Sequence, residues 1–270
     1  MTQETLENLS QENRKFPPSA EFAAAANGKA ELYDAAAADN EAFWADKARS
    51  YLTWTKDFDQ TLDWSDAPLA KWFVGGELNA SYNCVDRHVE AGRGDKVAIH
   101  WVGEPGDSRD ITYSDLLDEV QRAANALQNL GVRKGDVVAI YLPMIPEAVV
   151  TMLACARIGA PHSVVFGGFS ADALRTRIGD AQAKVVVTSD GGYRRGTASA
   201  LKPAVDDAIS GETTVEKVLV VKRTGTEVAW DDSRDCVVAR RPRGCSPDPP
   251  GCRARLRAPA VHPLHLRHHR

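Results

Sequence analysis

From Gly75 onward the chain alternates short apolar runs with segments whose apolar residues recur at helical spacing. The runs are short and rich in Val, which favours buried β-strands over buried helices. We predict strands at residues 96–102, 137–142, 163–166, 184–188 and 217–221. A repeated strand–helix–strand order is typical of a parallel sheet with helices on both faces. The alternation therefore predicts an α/β fold with a doubly wound, largely parallel sheet.

Four helices are predicted between these strands. The first begins at Ser114, a candidate N-cap, and ends at Gly131, a candidate C-cap. The other three cover residues 146–158, 171–181 and 201–209. Pro in the first turn of the second helix supports its start, because that position needs no backbone donor.

Residues 1–90 have a different character, and we predict that they form an N-terminal helical extension. Residues 1–27 are polar except for a short Ala run, which suggests an extended or loosely helical arm. Residues 30–54 have helical spacing, and Asn40 is a candidate cap for the second half. Residues 54–73 hold three of the six Trp, which favours an irregular segment packed on a larger domain.

Charge is distributed unevenly along the chain. The net charge is −4, but residues 234–270 carry nine Arg against Asp235 and Asp248, a charge of +7 that leaves −11 for residues 1–233. An acidic region does not neutralise phosphates, so we predict no nucleic-acid partner for it.

The acidic region has no apolar run long enough to span a bilayer, and its start lacks the apolar core of a signal peptide. We therefore expect a cytoplasmic protein without a membrane partner.

Two glycine-containing segments follow predicted strands: FGGFS at residues 166–170 and DGGYRRG at residues 190–196. Ligands of open α/β sheets bind at the carboxyl ends of strands, where glycine permits close approach to the backbone. The adjacent Arg194 and Arg195 offer planar forks of donors that suit a phosphate. The open alternatives are a tight turn with buried phenylalanines for the first segment and a pair of solvated surface arginines for the second.

The isolated histidines of residues 1–233 have no metal-ligand spacing, so we predict no metal site.

Longer segments resemble one family. They are WFVGGELNASYNCVDRHVE (72–90), VAIHWVGEPGDSRDITYSDL (97–116), YLPMIPEAVVTMLACARIGAPHSVVFGGFS (141–170) and DGGYRRG (190–196). The chain is similar to the AMP-forming acetyl-CoA synthetases of the adenylate-forming superfamily from about Thr5 to Asp235. The resemblance implies a ligase that forms acetyl-adenylate and pyrophosphate from acetate and ATP, after which the CoA thiol displaces AMP. It also implies Mg²⁺ in the complete enzyme.

The resemblance also implies a set of CoA-contacting residues. They are Phe166, Gly167, Gly168, Arg194, Arg195, Gly196 and Thr197. In this family the FGGFS turn and the arginine loop lie against the nucleotide end of CoA, so the first three would flank the adenine. The two arginines would contact the phosphates. This chain has Thr197 where the family often has a second arginine.

Residues 236–270 do not resemble the family as written. They lack apolar periodicity, so we expect a disordered tail, with a basic nucleic-acid-binding arm and a zinc site as alternatives. Codons compatible with residues 261–270, read one base later, encode Phe-Ile-Leu-Tyr-Thr-Ser-Gly-Thr-Thr-Gly, the superfamily's phosphate-binding loop. In the same frame, residues 237–240 give Trp-Trp-His-Asp, which the family carries after its Arg-Asp. We therefore hypothesise a frameshift near Asp235.

These features divide the chain into an acetyl-CoA synthetase N-terminal extension (1–90), a partial AMP-binding domain (91–235) and a frameshifted tail (236–270). The resemblance implies an acetate–CoA ligase. We expect no acetyl-adenylate formation by the chain as written, because the family's phosphate loop, acetate pocket, ribose-binding Asp and catalytic Lys lie beyond the match. A non-catalytic module that binds CoA or a nucleotide is the alternative.

Overall fold

The computed structural model describes residues 15–237 and 264–265. The chain divides into two compact units, residues 1–51 and residues 52–270. In residues 15–51, the described part of the first unit, the helices are α1 (Ala20–Ala25), α2 (Ala30–Ala38) and α3 (Asn40–Tyr51). None of the helices in the described part of the chain is long and apolar enough to cross a membrane.

The helical extension is thus present, with a different cap from the predicted one. The helical segment expected at residues 30–54 is broken between α2 and α3. The side chain of Asp39 accepts the Ala42 N–H at 2.9 Å, so Asp39 rather than Asn40 caps α3. Within the predicted arm, α1 is helical, and residues 1–14 lie outside the described residues.

In its described residues, the second unit contains thirteen short strands, four α-helices and two π-helical segments. The strands are β1 (Gln60–Asp63), β2 (Lys71–Val74), β3 (Glu77–Leu78), β4 (Val97–Val102), β5 (Ser108–Thr112), β6 (Val138–Tyr141), β7 (His162–Val164), β8 (Val185–Ser189), β9 (Gly191–Arg194), β10 (Thr197–Ala200), β11 (Lys217–Val221), β12 (Asp235–Val237) and β13 (Leu264–His265). The helices are α4 (Tyr113–Asn129), α5 (Pro146–Ile158), α6 (Ala171–Ala181) and α7 (Lys202–Ala208), and the π-helical segments are Tyr82–Asp86 and Val89–Arg93.

A five-stranded parallel sheet in the order β12-β11-β8-β6-β7 forms the centre of this unit. Alternate residues of each strand face opposite layers. Val138 and Ile140 pack in the core that includes α4 and α5, whereas Ala139 and Tyr141 pack in the core that includes α6 and α7. Because both faces are covered, the inner strands are continuous apolar runs. The doubly wound α/β fold is confirmed.

The apolar run at residues 96–102 does not join this sheet, as the strand–helix alternation had suggested. It forms β4, which pairs antiparallel with β5. The sequence GEPGD between them reverses the chain, and the Gly103 N–H donates to the Asp107 carbonyl oxygen at 2.6 Å. The predicted strand is present, but its expected place in the parallel sheet was wrong, because the GEPGD turn pairs it with β5 instead.

The predicted helices are present with small changes at their ends. Thr112, rather than Ser114, caps α4, because its side chain accepts the Asp115 N–H while the Asp115 carboxylate accepts the Thr112 N–H. The cap at the other end is Leu130, and Gly131 follows with a φ of +90°. The bounds of α5 and α6 agree with the prediction.

The Trp-rich segment contains a hairpin that was not predicted, formed by β1 and β2. Beside it Trp54, Phe58 and Phe73 form an aromatic cluster with ring centres 5.0 to 5.7 Å apart. Packing of aromatic rings therefore fixes a segment that has little other regular structure.

Parts of the predicted tail form strands. Cys236 and Val237 belong to β12 and pair with β11, and Leu264–His265 pairs antiparallel with β3. At these four residues the backbone is paired in strands, and the disorder expected for the tail as a whole stays a prediction. The rest of the predicted tail lies outside the described residues.

Candidate functional site

A cavity of about 460 Å³ lies beyond the carboxyl ends of β6, β7 and β8. It is lined by residues 101–104, 142–145, 166–168 and 192–194, together with Ser199, Leu201 and Arg223. Parallel strands end at the same edge of a sheet, so the segments that follow them converge there. The position is the one predicted for a ligand site from the two glycine-containing segments.

The FGGFS turn (residues 166–170) forms one wall of the cavity. A Cβ on Gly167 would lie 3.0 Å from Leu201 and 3.2 Å from the Leu142 carbonyl oxygen. A Cβ on Gly168 would lie 2.7 Å from the Phe166 ring. A side chain at either glycine would therefore require its neighbours to move. Phe166 is 55% exposed and Phe169 is also exposed, so the alternative of buried phenylalanines does not hold.

The predicted arginine loop is a β-hairpin formed by β9 and β10, which we call the arginine hairpin (residues 191–200). Its two-residue turn, Arg195–Gly196, has φ angles of +53° and +76°, the left-handed conformation that two-residue hairpins favour. The preceding glycines are not a flexible pair, because a Cβ on Gly191 would lie 2.6 Å from the Ser199 carbonyl oxygen. A Cβ on Gly192 would lie 2.9 Å from Pro143.

The hairpin separates the two arginines. Arg194 lines the cavity, and its guanidinium carbon lies 5.9 Å from the centre of the Phe166 ring. Arg195 and Thr197 instead line an adjoining depression of about 320 Å³, which Arg194 also borders. Neither guanidinium forms an ion pair with any residue that the structure describes. Both positive charges are therefore available to an anion.

All seven predicted contact residues thus lie together. Phe166, Gly167, Gly168 and Arg194 line the cavity, Arg195 and Thr197 line the depression, and Gly196 lies between them in the turn. The Gly196 N–H is already engaged, since it donates to the Glu104 carboxylate at 2.6 Å. The residues that the resemblance implies thus come from two separate segments that meet in the structure, and their contact with CoA stays a prediction.

Sequence reasoning missed a second group at the rim. Arg223 follows β11, and its guanidinium carbon lies 5.0 Å from the Trp101 ring centre and 4.9 Å from the Tyr193 ring centre. Asp107 accepts two hydrogen bonds from it, at 2.6 and 3.0 Å. The signal that could have found this group is the GEPGD turn, which carries both Glu104 and Asp107.

Asp190 ties the arginine hairpin to the segment after β11. Its carboxylate accepts backbone N–H groups of Gly191, Arg223, Thr224 and Gly225 at 2.7 to 3.0 Å. Burial by itself raises the pKa of Asp190, but the four hydrogen bonds outweigh burial and hold that pKa below its usual value. Asp190 is therefore ionised at neutral pH and anchors the rim.

The cavity has the composition of a binding site. An exposed aromatic ring, an unpaired guanidinium and glycine backbone suit a planar base with attached phosphates. Its lining contains no His or Cys that could act as base or nucleophile. In the part of the chain that the structure describes, no group of three or more His, Cys, Asp or Glu side chains could hold a metal ion.

Comparison with known proteins identifies the family. The AMP-binding enzyme family matches residues 85–254. The chain belongs to the AMP-binding enzymes. A second family, described as the acetyl-coenzyme A synthetase N-terminus, matches residues 29–84 of this AMP-binding enzyme chain.

Curated relatives of this AMP-binding enzyme are named acetyl-coenzyme A synthetase. That of Streptomyces avermitilis is 67% identical over 235 residues, which cover 87% of this chain and 36% of the relative. That of Mycolicibacterium smegmatis is 63% identical over 221 residues, covering 82% of this chain and 23% of the relative. That of Mycobacterium tuberculosis H37Rv is 61% identical over 232 residues, covering 85% and 36%. The chain thus spans about a third of the Streptomyces relative's length.

Proposed function

We propose that this chain forms the coenzyme A-binding part of an AMP-forming acetate–CoA ligase. The observation that carries the proposal is the meeting of the FGGFS turn and the arginine hairpin at one cavity. The identity of 67% to a protein named acetyl-coenzyme A synthetase supports the reaction class.

The geometry suits the nucleotide end of CoA. The adenine would lie against the exposed ring of Phe166, beside the Gly167–Gly168 backbone that lines the cavity. Its phosphates would be bound by Arg194 and Arg195, whose guanidiniums can each donate two parallel hydrogen bonds. A cavity of about 460 Å³ is within the usual range for small-molecule sites.

In the proposed reaction, an acetate oxygen attacks the α-phosphate of ATP, which gives acetyl-adenylate and releases pyrophosphate. The CoA thiol, as it loses its proton, then attacks the acetyl carbon and AMP leaves. The substrates are acetate, ATP and CoA, and Mg²⁺ would accompany the ATP phosphates. The described residues provide no cluster of ligands for that ion, and neither step depends on a residue that binds it.

A cytoplasmic location and the absence of a nucleic-acid partner remain predictions from the sequence.

Calorimetric titration with CoA, beside an assay of acetate-dependent ATP–pyrophosphate exchange, tests the proposal. We expect CoA to bind with a stoichiometry of one and exchange to be absent, because the family's phosphate loop is not encoded in the frame as written. No binding of CoA would overturn the proposal. Exchange activity would contradict the expectation that the chain binds CoA without forming acetyl-adenylate, and it would show that the chain itself adenylates acetate.

Two arginine variants locate the binding. Arg194→Gln removes a cavity-lining charge, and we expect CoA affinity to fall about 10- to 100-fold, the usual effect of losing hydrogen bonds to a charged group. Arg122→Gln removes the same charge from α4, where Arg122 pairs with Asp118, and should leave affinity unchanged. Equal losses of CoA affinity in both variants would show that CoA does not bind at this cavity.

The frameshift hypothesis has a direct test in the coding DNA. Read one base later after codon 235, the DNA should encode Trp-Trp-His-Asp and then a phosphate-binding loop. The family match extends to residue 254 in the frame as written. The DNA sequence is therefore needed to distinguish the written frame from the shifted one. A sequence without synthetase codons in the shifted frame would end the hypothesis.

A further inference from the structure

The turn between β4 and β5 reaches the arginine hairpin at two points. At the first, the Glu104 carboxylate accepts the Gly196 N–H at 2.6 Å, which holds the tip of the hairpin. At the second, Asp107 binds the guanidinium of Arg223, and that guanidinium stacks on Tyr193. Glu104 and Asp107 are about 90 residues away from the hairpin in sequence, and the β4–β5 ribbon brings Glu104 to the hairpin directly and Asp107 to it through Arg223.

Arg223 differs from Arg194 in a way that separates their roles. The Arg223 side chain is only 11% exposed and is held between the Trp101 and Tyr193 rings. Both of its terminal nitrogens donate to Asp107, and this hydrogen bonding raises the pKa of Arg223. Its charge is therefore neutralised within the protein, whereas the charge of Arg194 is free to meet an anion.

There is little space for this arrangement to shift. A Cβ on Gly103 would lie 2.9 Å from an Arg223 nitrogen and also against the Asp107 carboxylate. The Arg223 backbone N–H donates to Asp190 at 2.7 Å, and the Gly191 N–H donates to the same carboxylate at 2.8 Å. The end of β11 and the start of the arginine hairpin are thus attached to one buried group.

We propose that the β4–β5 turn is a positioning device for the arginine hairpin. Through Glu104 and the Asp107–Arg223 pair it holds the hairpin where the Arg194 guanidinium faces Phe166. Arg223 acts through Tyr193 and Arg194 and does not bind a phosphate itself. This inference rests on the proposed function of the cavity in CoA binding.

A double-mutant cycle on the full chain tests the role of Arg223. CoA affinity is measured by calorimetry for the wild type, Arg223→Gln, Arg194→Gln and the double variant. We expect Arg223→Gln to weaken binding about tenfold when Arg194 is present, and less than twofold when Arg194 is already Gln. Coupled residues deviate from additivity in this way. Additive effects would show that Arg223 contacts the ligand directly, and would overturn the proposal. So would a wild-type affinity in Arg223→Gln.

Conservative variants test the role of Glu104. Glu104→Gln keeps a side-chain oxygen that can accept the Gly196 N–H, so it should bind CoA within about twofold of wild type, whereas Glu104→Ala should bind several-fold more weakly. Asp110→Asn removes an exposed carboxylate from β5, where Asp110 pairs with His100, and serves as the control with unchanged binding. Equal losses in the Gln and Ala variants would overturn the positioning role.

A measurement without ligand keeps the two proposals separate. The Gly196 amide should exchange its hydrogen several-fold faster in Glu104→Ala and in Arg223→Gln than in wild type, while amides of the parallel sheet stay unchanged. Unchanged Gly196 exchange in both variants would overturn the positioning device even if CoA binds. Failure of the wild type to bind CoA, together with the expected exchange, would overturn only the proposed function.

Discussion

The parallel sheet and the rim of the cavity are built from different kinds of contact. The sheet consists of apolar strands buried on both faces by helices that lie between them in the sequence or directly before β6. The rim brings together the β4–β5 turn, the FGGFS turn, the arginine hairpin and Arg223 through polar contacts between distant parts of the chain. We therefore expect most of the stability to come from the sheet, whereas the rim holds the residues that we propose to bind a ligand.

Two arginine–aspartate pairs show the same difference. Arg157 on α5 forms two hydrogen bonds of 2.8 Å with Asp86, and its side chain is 2% exposed. Arg223 binds Asp107 with similar geometry, but the Asp107 side chain is 43% exposed. Breaking a buried pair leaves an unpaired charge in the interior, whereas water can solvate an exposed one. We therefore expect the Arg157–Asp86 pair to stabilise the fold, and the Arg223–Asp107 pair to position the arginine hairpin.

The largest expected effect is on the buried pair. Arg157→Ala should lower the free energy of unfolding by about 3–5 kcal/mol, because Asp86 is left buried without its partner. Urea denaturation measures this loss. The matched control is Arg122→Ala, which breaks the exposed Arg122–Asp118 pair on α4 and should cost less than about 0.5 kcal/mol. Similar losses in both variants would remove the distinction between the two kinds of pair.

An intermediate effect is expected from a side chain added at the rim. Gly192→Val would place a Cβ 2.9 Å from Pro143 and 3.3 Å from Leu201, so it should cost about 1–3 kcal/mol by overpacking and weaken CoA binding. Gly179→Ala in α6 is the control, since nothing lies within 4 Å of its Cβ position. It should raise stability by up to about 1 kcal/mol. Thermal unfolding measures the change in stability, and calorimetry measures the change in CoA affinity. Unaltered CoA binding by Gly192→Val would argue against the hairpin's part in the site.

The smallest effect is a change in acid sensitivity. The pKa of Asp190 is lower in the folded chain than in the unfolded chain, so its stabilisation is present at neutral pH and is lost as the pH falls below about 4. Asp190→Asn should therefore flatten the dependence of unfolding free energy on pH in that acid range, by at most about 1.4 kcal/mol per pH unit. Asp180→Asn removes an exposed carboxylate of α6 and is the control. An unchanged acid slope in Asp190→Asn would show that the four N–H groups do not stabilise the charged form.

The sequence was sufficient for the parts of the fold that depend on local patterns. The continuous apolar runs predicted four of the five strands of the parallel sheet, and Pro146 and Gly159 marked the two ends of α5. The two glycine-containing segments were correctly placed at the carboxyl edge, because strand direction alone brings them together. These features need no knowledge of distant contacts.

The remaining features depend on contacts that a linear pattern does not contain. β4 has the apolar run of a buried strand, yet the GEPGD turn pairs it with β5 outside the sheet. The glycines at 191 and 192 were expected to admit a ligand close to the backbone, but they lie in β9, where Ser199 and Pro143 crowd their Cβ positions. Arg223 lies in no local motif of its own, since its position depends on contacts with Asp107, Trp101 and Tyr193.

The most direct test of the cavity as a CoA site is amide hydrogen exchange with and without saturating CoA. We expect added protection in residues 166–170 and 191–200, which form the two walls of the cavity, and no change in the β1–β2 hairpin. Protection confined to other segments, or none at a CoA concentration that saturates the calorimetric titration, would contradict the account.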